Sequence, residues 1–314
     1  MKTASNLSCN LLRLSLFPLI LVGLLMQGCS VQRFAVNRLG DALAGGGDTF
    51  SSDDDPELIK AAAPFSLKLM ETLLAESPRH EKLLLATASG FMQYGYAFVQ
   101  QEADKAADVD FAESERLNRR ARHLYLRARN YALRGLEVRH RGIVNKLRQD
   151  PVEALRVARK SDVPLLYWTA ASWGAAISVS KDDPDLIADQ PIVEALIDRA
   201  LELDAEFGSG AIHAFLISYE MARQGAEGLA EDRSREHFLQ AVAMSQGQLA
   251  GPYVTFAETV GVQQQNVDEF TTLLEKALAV EVDARPEWRL ENIIMQRRAR
   301  WLLSKTDELF LLTE

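Results

Sequence analysis

The chain has 314 residues, of which 47% are hydrophobic, 25% charged and 8% aromatic, with a formal net charge of −9. These are the proportions of an ordinary globular protein, and they exclude collagen-like, low-complexity and largely disordered architectures. The first 28 residues hold Lys2 and Arg13 and no acid, so losing them makes the body more acidic still. Such a body does not suit a general nucleic-acid binder, which needs positive charge to meet phosphates. Both cysteines, Cys9 and Cys29, lie near the N-terminus, so no disulfide framework staples the fold. Five scattered histidines argue against a His-based metal site, and the sequence calls for no metal or cofactor.

In chain order, Lys2 and Arg13 supply a positive n-region, and 14–25 supply an apolar run of about a dozen residues. That run is too short for a spanning helix, which needs roughly 20 apolar residues. It ends in Leu25, Met26, Gln27, Gly28 and Cys29, which resembles a bacterial lipobox: a small residue precedes a cysteine that is lipidated and becomes the new first residue. A plain secretory peptide with an incidental cysteine is the competing reading. The expected organisation is a lipoprotein signal peptide over 1–28, then a lipid anchor, short helix and acidic flexible linker over 29–55, and a helical repeat domain over 56–314. Ser30 stands where an aspartate commonly retains such lipoproteins at the inner membrane. A periplasmic protein anchored in the outer membrane is therefore favoured.

A short helical pattern over 31–44 gives way to Gly45, Gly46 and Gly47 and then to Asp53, Asp54 and Asp55. No phosphate-loop or EF-hand spacing completes either cluster, so the segment reads as a solvated loop. Asp55, Pro56 and Glu57 form a good helix start. Periodicity then predicts helices over 56–76, 80–107, 111–140, 151–159, 164–180, 184–203, 209–223, 231–246, 252–263, 266–280 and 286–304. Prolines at 78, 164, 184, 252 and 286 mark breaks. No stretch alternates long enough to require a sheet, and the fold class is all-α. Ala200, Leu201, Leu203 and Asp204 match the close of a tetratricopeptide unit, and Ala241 and Ala277 repeat the pattern loosely, 41 and 36 residues further on. The spacing approaches the repeat period of about 34 residues. It predicts tetratricopeptide-like helical hairpins packed as one compact solenoid.

Several segments are similar to the TRAP-transporter T-component (TatT) family. They are Phe91 to Phe98, Arg122 to Arg129, Leu166 to Gly174, Gly210 to Glu220, Gly251 to Val254 and Arg297 to Leu303, in order and without large gaps. The resemblance runs from about residue 31 to the end. It implies a non-enzymatic periplasmic lipoprotein of tetratricopeptide-like helices with a ligand-accessible internal cavity. The implied partner is the substrate-binding P subunit of a tripartite ATP-independent periplasmic transporter, and the membrane is met through the lipid. Self-association as a homo-oligomer, such as a trimer, is left open. A lipid-anchored scaffold for envelope or outer-membrane protein assembly is the alternative function.

Three constellations stand out. Leu84, Thr87, Phe91, Tyr94 and Phe98 form one stripe on the helix over 80–107, which reads either as a core seam or as the wall of a cavity for an apolar ligand. The helix over 164–180 is apolar on two faces, so Trp168 and Trp173 either fill the core or face a pore. Tyr219 and Tyr253, in segments that carry the resemblance, join these aromatics as cavity candidates. Between Arg116 and Arg148 there are eleven Arg and Lys residues and one acid, Glu137. Arg116, Arg120, Arg127, Arg134 and Arg141 fall near one line along the helix. They pair with acidic neighbouring helices, or they form a docking strip for an acidic partner or anionic headgroups, with Arg127, Arg134 and Arg141 as the docking candidates. His213 and Glu220 share a face two turns apart, and no catalytic set emerges.

Overall fold

The architecture comes from a computed structural model, which describes residues 36–311. The signal peptide, the lipobox with Cys29, and the start of the helix expected over 31–44 lie outside the described residues. Helices dominate, and no strand occurs among the described residues. Residues 36–45 form α1, and Gly47–Ser51 form a further helical turn, α2. The acidic segment is therefore partly helical where a flexible loop was expected. Asp48 sits favourably in the first turn of α2, and the Arg289 guanidinium donates to the Ser52 carbonyl at 2.8 Å, tying the segment to the far end of the chain.

Helix α3 (Pro56–Glu76) starts as the sequence predicts: the Asp55 carboxylate accepts from the Glu57 and Leu58 amides, and Pro56 occupies the first turn. The helix expected over 80–107 is in fact three pieces: α4 (Glu81–Gly95), a π-helical turn (Tyr96–Gln100) and α5 (Gln101–Ala106). Asp110 caps α6 (Phe111–Arg139), which lies between α4 and α9 (Val163–Ser178). Its packing face is built from small residues: Ala121, Ala128 and Ala132 are fully buried, and a Cβ at Gly135 would stand 2.6 Å from Leu165 Cδ2. A side chain at that position requires the Leu165 side chain to shift.

After α6 come the short helices α7 (Ile143–Leu147) and α8 (Pro151–Ala154). The helix expected over 184–203 is split into α10 (Pro184–Ile187) and α11 (Gln190–Leu203), with Pro191 restarting the second. Helix α11 packs on α9 with Ala200 fully buried. The remaining helices are α12 (Ala211–Tyr219), α13 (Ala230–Met244), α14 (Ala250–Phe256), α15 (Val267–Leu278), α16 (Arg289–Ser304) and α17 (Thr306–Leu309). A second π-helical turn, Ala257–Gly261, follows α14. Two large apolar cores result. The first is built from residues between Leu67 and Leu216, the second from residues between Ile217 and Phe310, and Tyr96 packs against both.

Candidate functional site

The boundary between the two cores carries the polar chemistry of the interior. Tyr96, the first residue of the π turn, donates its hydroxyl to Met295 Sδ at 3.9 Å, reaching from the first half of the chain to α16. Glu291, Met295 and Arg298 are four and three residues apart and so share one stripe of α16. Arg298 is 6% exposed and holds Glu258 through two hydrogen bonds, of 2.8 and 2.5 Å, with Asp104 at 2.9 Å. Glu258 belongs to the second π turn, and Asp104 lies just past the first. One guanidinium thus clamps the two irregular turns together. Burial pushes the Asp104 carboxyl above its ordinary value, against the pull of Arg298.

Glu291 differs from its neighbours. A Cβ on Gly251 would stand 3.4 Å from its Oε1, and burial alone pushes its carboxyl up, with no opposing cation. Yet the residue is open to solvent. Two phenols feel its charge: burial, then the Glu291 charge, pushes Tyr167 up, and burial raises Tyr96, with Glu291 among the charges adding to the rise. Tyr167 lies in α9, with its ring centroid 4.9 Å from Trp168 and 5.3 Å from Phe207. Tyr96, Tyr167 and Trp168 are half-buried.

The aromatic candidates divide. Phe91 and Tyr94 are buried in the first core, Phe91 stacking on Tyr131 at 6.1 Å and Tyr94 tilting against Phe98 at 5.5 Å. Trp173 is 2% exposed and lies under the Arg129 guanidinium at 4.6 Å. Trp168 stands edge-on to the Tyr167 ring at 4.9 Å. Tyr219 stacks on Phe215 at 5.2 Å, and Tyr253 packs edge-on against Phe238 at 5.8 Å. Tyr96, Tyr167 and Glu291 were not among the expected site residues. Tyr96 and Tyr167 each adjoin or lie within a quoted segment, but nothing in the spacing around Glu291 marks it.

The arginines divide as well. Arg127 pairs with Glu71 at 2.5 Å, and its guanidinium stands 4.9 Å from the Phe91 ring centroid. Burial would raise the Glu71 carboxyl, but hydrogen bonds from Lys68 and Tyr131 and the Arg127 charge outweigh it and hold it below its ordinary value. Arg120 lies 6.0 Å over Tyr94, and Arg122 pairs with Asp183. Arg134 donates to the Pro78 carbonyl at 3.2 Å and lines an open groove with Glu137, Val144 and Asn145. Arg141 is exposed and has no ion-pair or hydrogen-bond partner among the described residues. His213, read as a packing residue, meets His237 at 2.8 Å, Nδ1 to Nδ1, while Glu220 is held by Arg223 at 2.8 Å and Arg233 at 2.6 Å. No group of three or more His, Cys, Asp or Glu residues able to hold a metal occurs among the described residues.

Among the described residues the protein is all-helical, with two large apolar cores that meet at Tyr96, and no described helix is long and apolar enough to cross a membrane. A family model described as the TRAP transporter T-component matches residues 52–310, and the chain belongs to that family. A protein of Treponema pallidum (strain Nichols), described as uncharacterized, is 28% identical over 306 residues, covering 92% of this chain and 95% of its own. The T-component is an accessory component of a transport system.

Proposed function

We propose that this T-component is a periplasmic lipoprotein, anchored through Cys29, that docks the substrate-binding P subunit of its uptake system. We infer further that it holds a small, largely apolar molecule between its helices and has no catalytic role. What carries this reading is membership of the T-component family, together with the half-buried rings of Tyr96, Tyr167 and Trp168. Largely apolar concave sites with a few placed polar groups are the ordinary form of a small-molecule site. Burial of Ala200, Ala241 and Ala277 at helix contacts supports tetratricopeptide-like hairpins as the packing unit.

For docking, Arg134 and Arg141 are the best placed of the strip. Arg134 spends one hydrogen bond on a backbone carbonyl and lines a surface groove, and Arg141 is free of described partners. Arg127 contributes a guanidinium already shared with Glu71. The test is a binding titration of the full-length Cys29→Ser protein against the purified P subunit at two salt concentrations. The Arg134→Gln/Arg141→Gln variant should melt like its parent and associate more slowly, with a weaker salt dependence. Unchanged association would remove the strip from the interface.

A further inference from the structure

We propose that the end of the molecule where α6 finishes is a membrane-facing surface, whose arginines and lysines meet the anionic headgroups of the leaflet that holds the Cys29 lipid. This rests on the anchor reading above and goes beyond it, because it fixes which end of the protein the membrane meets. The chain enters the described structure at this end. Val36 and Val138 pack against the same small core of Leu73, Leu74, Leu83 and Leu84, and the Ser77 hydroxyl donates to the Asn37 side chain at 2.7 Å. Seven residue steps separate Cys29 from Val36, and they span at most about 25 Å even when fully extended. A lipid at Cys29 therefore keeps this end close to the bilayer.

The charge of this end complements such a surface. Over 134–160 there are eight Arg and Lys residues and three acids, in a chain whose net charge is −9. The three acids are already engaged: Glu137 accepts from the Gly142 amide at 2.6 Å, Asp150 caps α8, and Glu153 pairs with Arg156 at 3.0 Å. Lys146 and Arg148 are exposed, with no ion pair or hydrogen bond to their side chains among the described residues, and so is Arg79, just before the cap of α4. Arg139 ties the segments together, donating to Glu81 at the start of α4 at 2.9 Å and to the Ser161 carbonyl at 2.5 Å. Val152, four residues past Arg148, is 65% exposed and adds apolar surface. The other end of α6 has the opposite sign: over 102–115 stand six acids and one base, Lys105. The 29 residues of α6 hold the two ends roughly 44 Å apart, so an anionic surface attracts one and repels the other. Solvated bases scattered over a surface need no partner, but here they gather at the end the anchor reaches. Arg134 and Arg141 are not needed for this contact, and a P subunit bound through them would sit beside the membrane.

The test reconstitutes the lipoprotein into vesicles of phosphatidylcholine, alone or with about one quarter phosphatidylglycerol, each carrying a nitroxide at the headgroups. With Cys29 lipidated and Cys9 lost with the signal peptide, a single dye is placed at Gln149→Cys, at the basic end, or at Val109→Cys, at the acidic one. In anionic vesicles the dye at 149 should be quenched several-fold more strongly than the dye at 109, and the difference should shrink in phosphatidylcholine alone and at high salt. Each base near an anionic surface strengthens binding roughly fivefold, so Arg79→Gln/Lys146→Gln/Arg148→Gln should largely remove the preference. Equal quenching at the two sites, or stronger quenching at 109, overturns the proposal and leaves the anchor standing. A preference that is the same in neutral vesicles, or that survives the triple substitution, also overturns it. A protein that stays on neither kind of vesicle removes the anchor and takes the proposal with it. The comparison of the two dyes in anionic and neutral vesicles decides the matter even if the triple variant does not fold.

Discussion

His213 and His237 show what residue-scale packing does to an ionisation. With Nδ1 atoms 2.8 Å apart, one neutral ring donates its N–H to the lone pair of the other, and protonating the acceptor sets two donors against each other. Burial first, and then the His237 charge, hold His213 down at about 4, and burial lowers His237 as well. Both folded values lie below the ordinary 6.5, so the folded state binds fewer protons than the unfolded one in that range. Stability is therefore complete above about pH 6.5 and declines as pH falls toward 4. Thermal melts should show a loss on the order of 1 kcal/mol between about pH 7.5 and 5.5, before the carboxylates titrate. A His213→Leu/His237→Leu variant should flatten that slope, and an undiminished slope would assign it elsewhere. Glu291 gives the opposite sign: its folded value is raised, so ionisation weakens the folded state at neutral pH. Glu291→Gln should melt at or above the wild-type temperature near pH 7.5, and a clear drop would show that the carboxylate has a partner. At this scale the regular arginine spacing was legible in the sequence. The identity of each partner was not, because Glu71 lies 56 residues from Arg127.

Elements follow local rules until tertiary contacts override them. Asp55, Pro56 and Asp110 set helix starts that the sequence reading places within a residue, because capping is a local reaction of side chain and backbone. The π turns at Tyr96–Gln100 and Ala257–Gly261 have no such local marker. Each adds a residue to a helical turn, and the clamp of Arg298 on Asp104 and Glu258 ties the two regions across the chain. Arg298→Met should therefore cost on the order of 1–3 kcal/mol in denaturant unfolding, since two half-buried carboxylates lose a buried, charge-assisted partner. A cost below about 1 kcal/mol would show that water replaces the guanidinium. Packing by small residues was easier to foresee. Ala200 is fully buried where α11 meets α9, and Ala200→Leu should overpack the contact by about 1–3 kcal/mol. An unchanged melting temperature would mean that the helices are not held at that contact.

At the largest scale, two large apolar cores meet at Tyr96 among the described residues. Sequence periodicity found the helices and the all-α class, since amphipathic spacing is written locally. It could not find the boundary between the cores, because Tyr96, Tyr167, Gly251 and Glu291 come from four distant segments. Family membership supplies the transport setting, and the expected anchor at Cys29 gives that setting a physical test. Cys29→Ser should move the protein from the membrane pellet to the soluble periplasmic fraction, and pelleting after a high-salt wash would oppose the lipid anchor. The central claim is that this chain works by engaging the substrate-binding subunit of its transporter. It is tested most directly by co-purifying the tagged, wild-type lipoprotein from gently crosslinked cells and identifying what is bound. The account predicts the P-type substrate-binding protein of a TRAP system, recovered in near-stoichiometric amount and reduced by Arg134→Gln/Arg141→Gln. Recovery of barrel-assembly or other envelope proteins in its place, with no substrate-binding subunit, would contradict it.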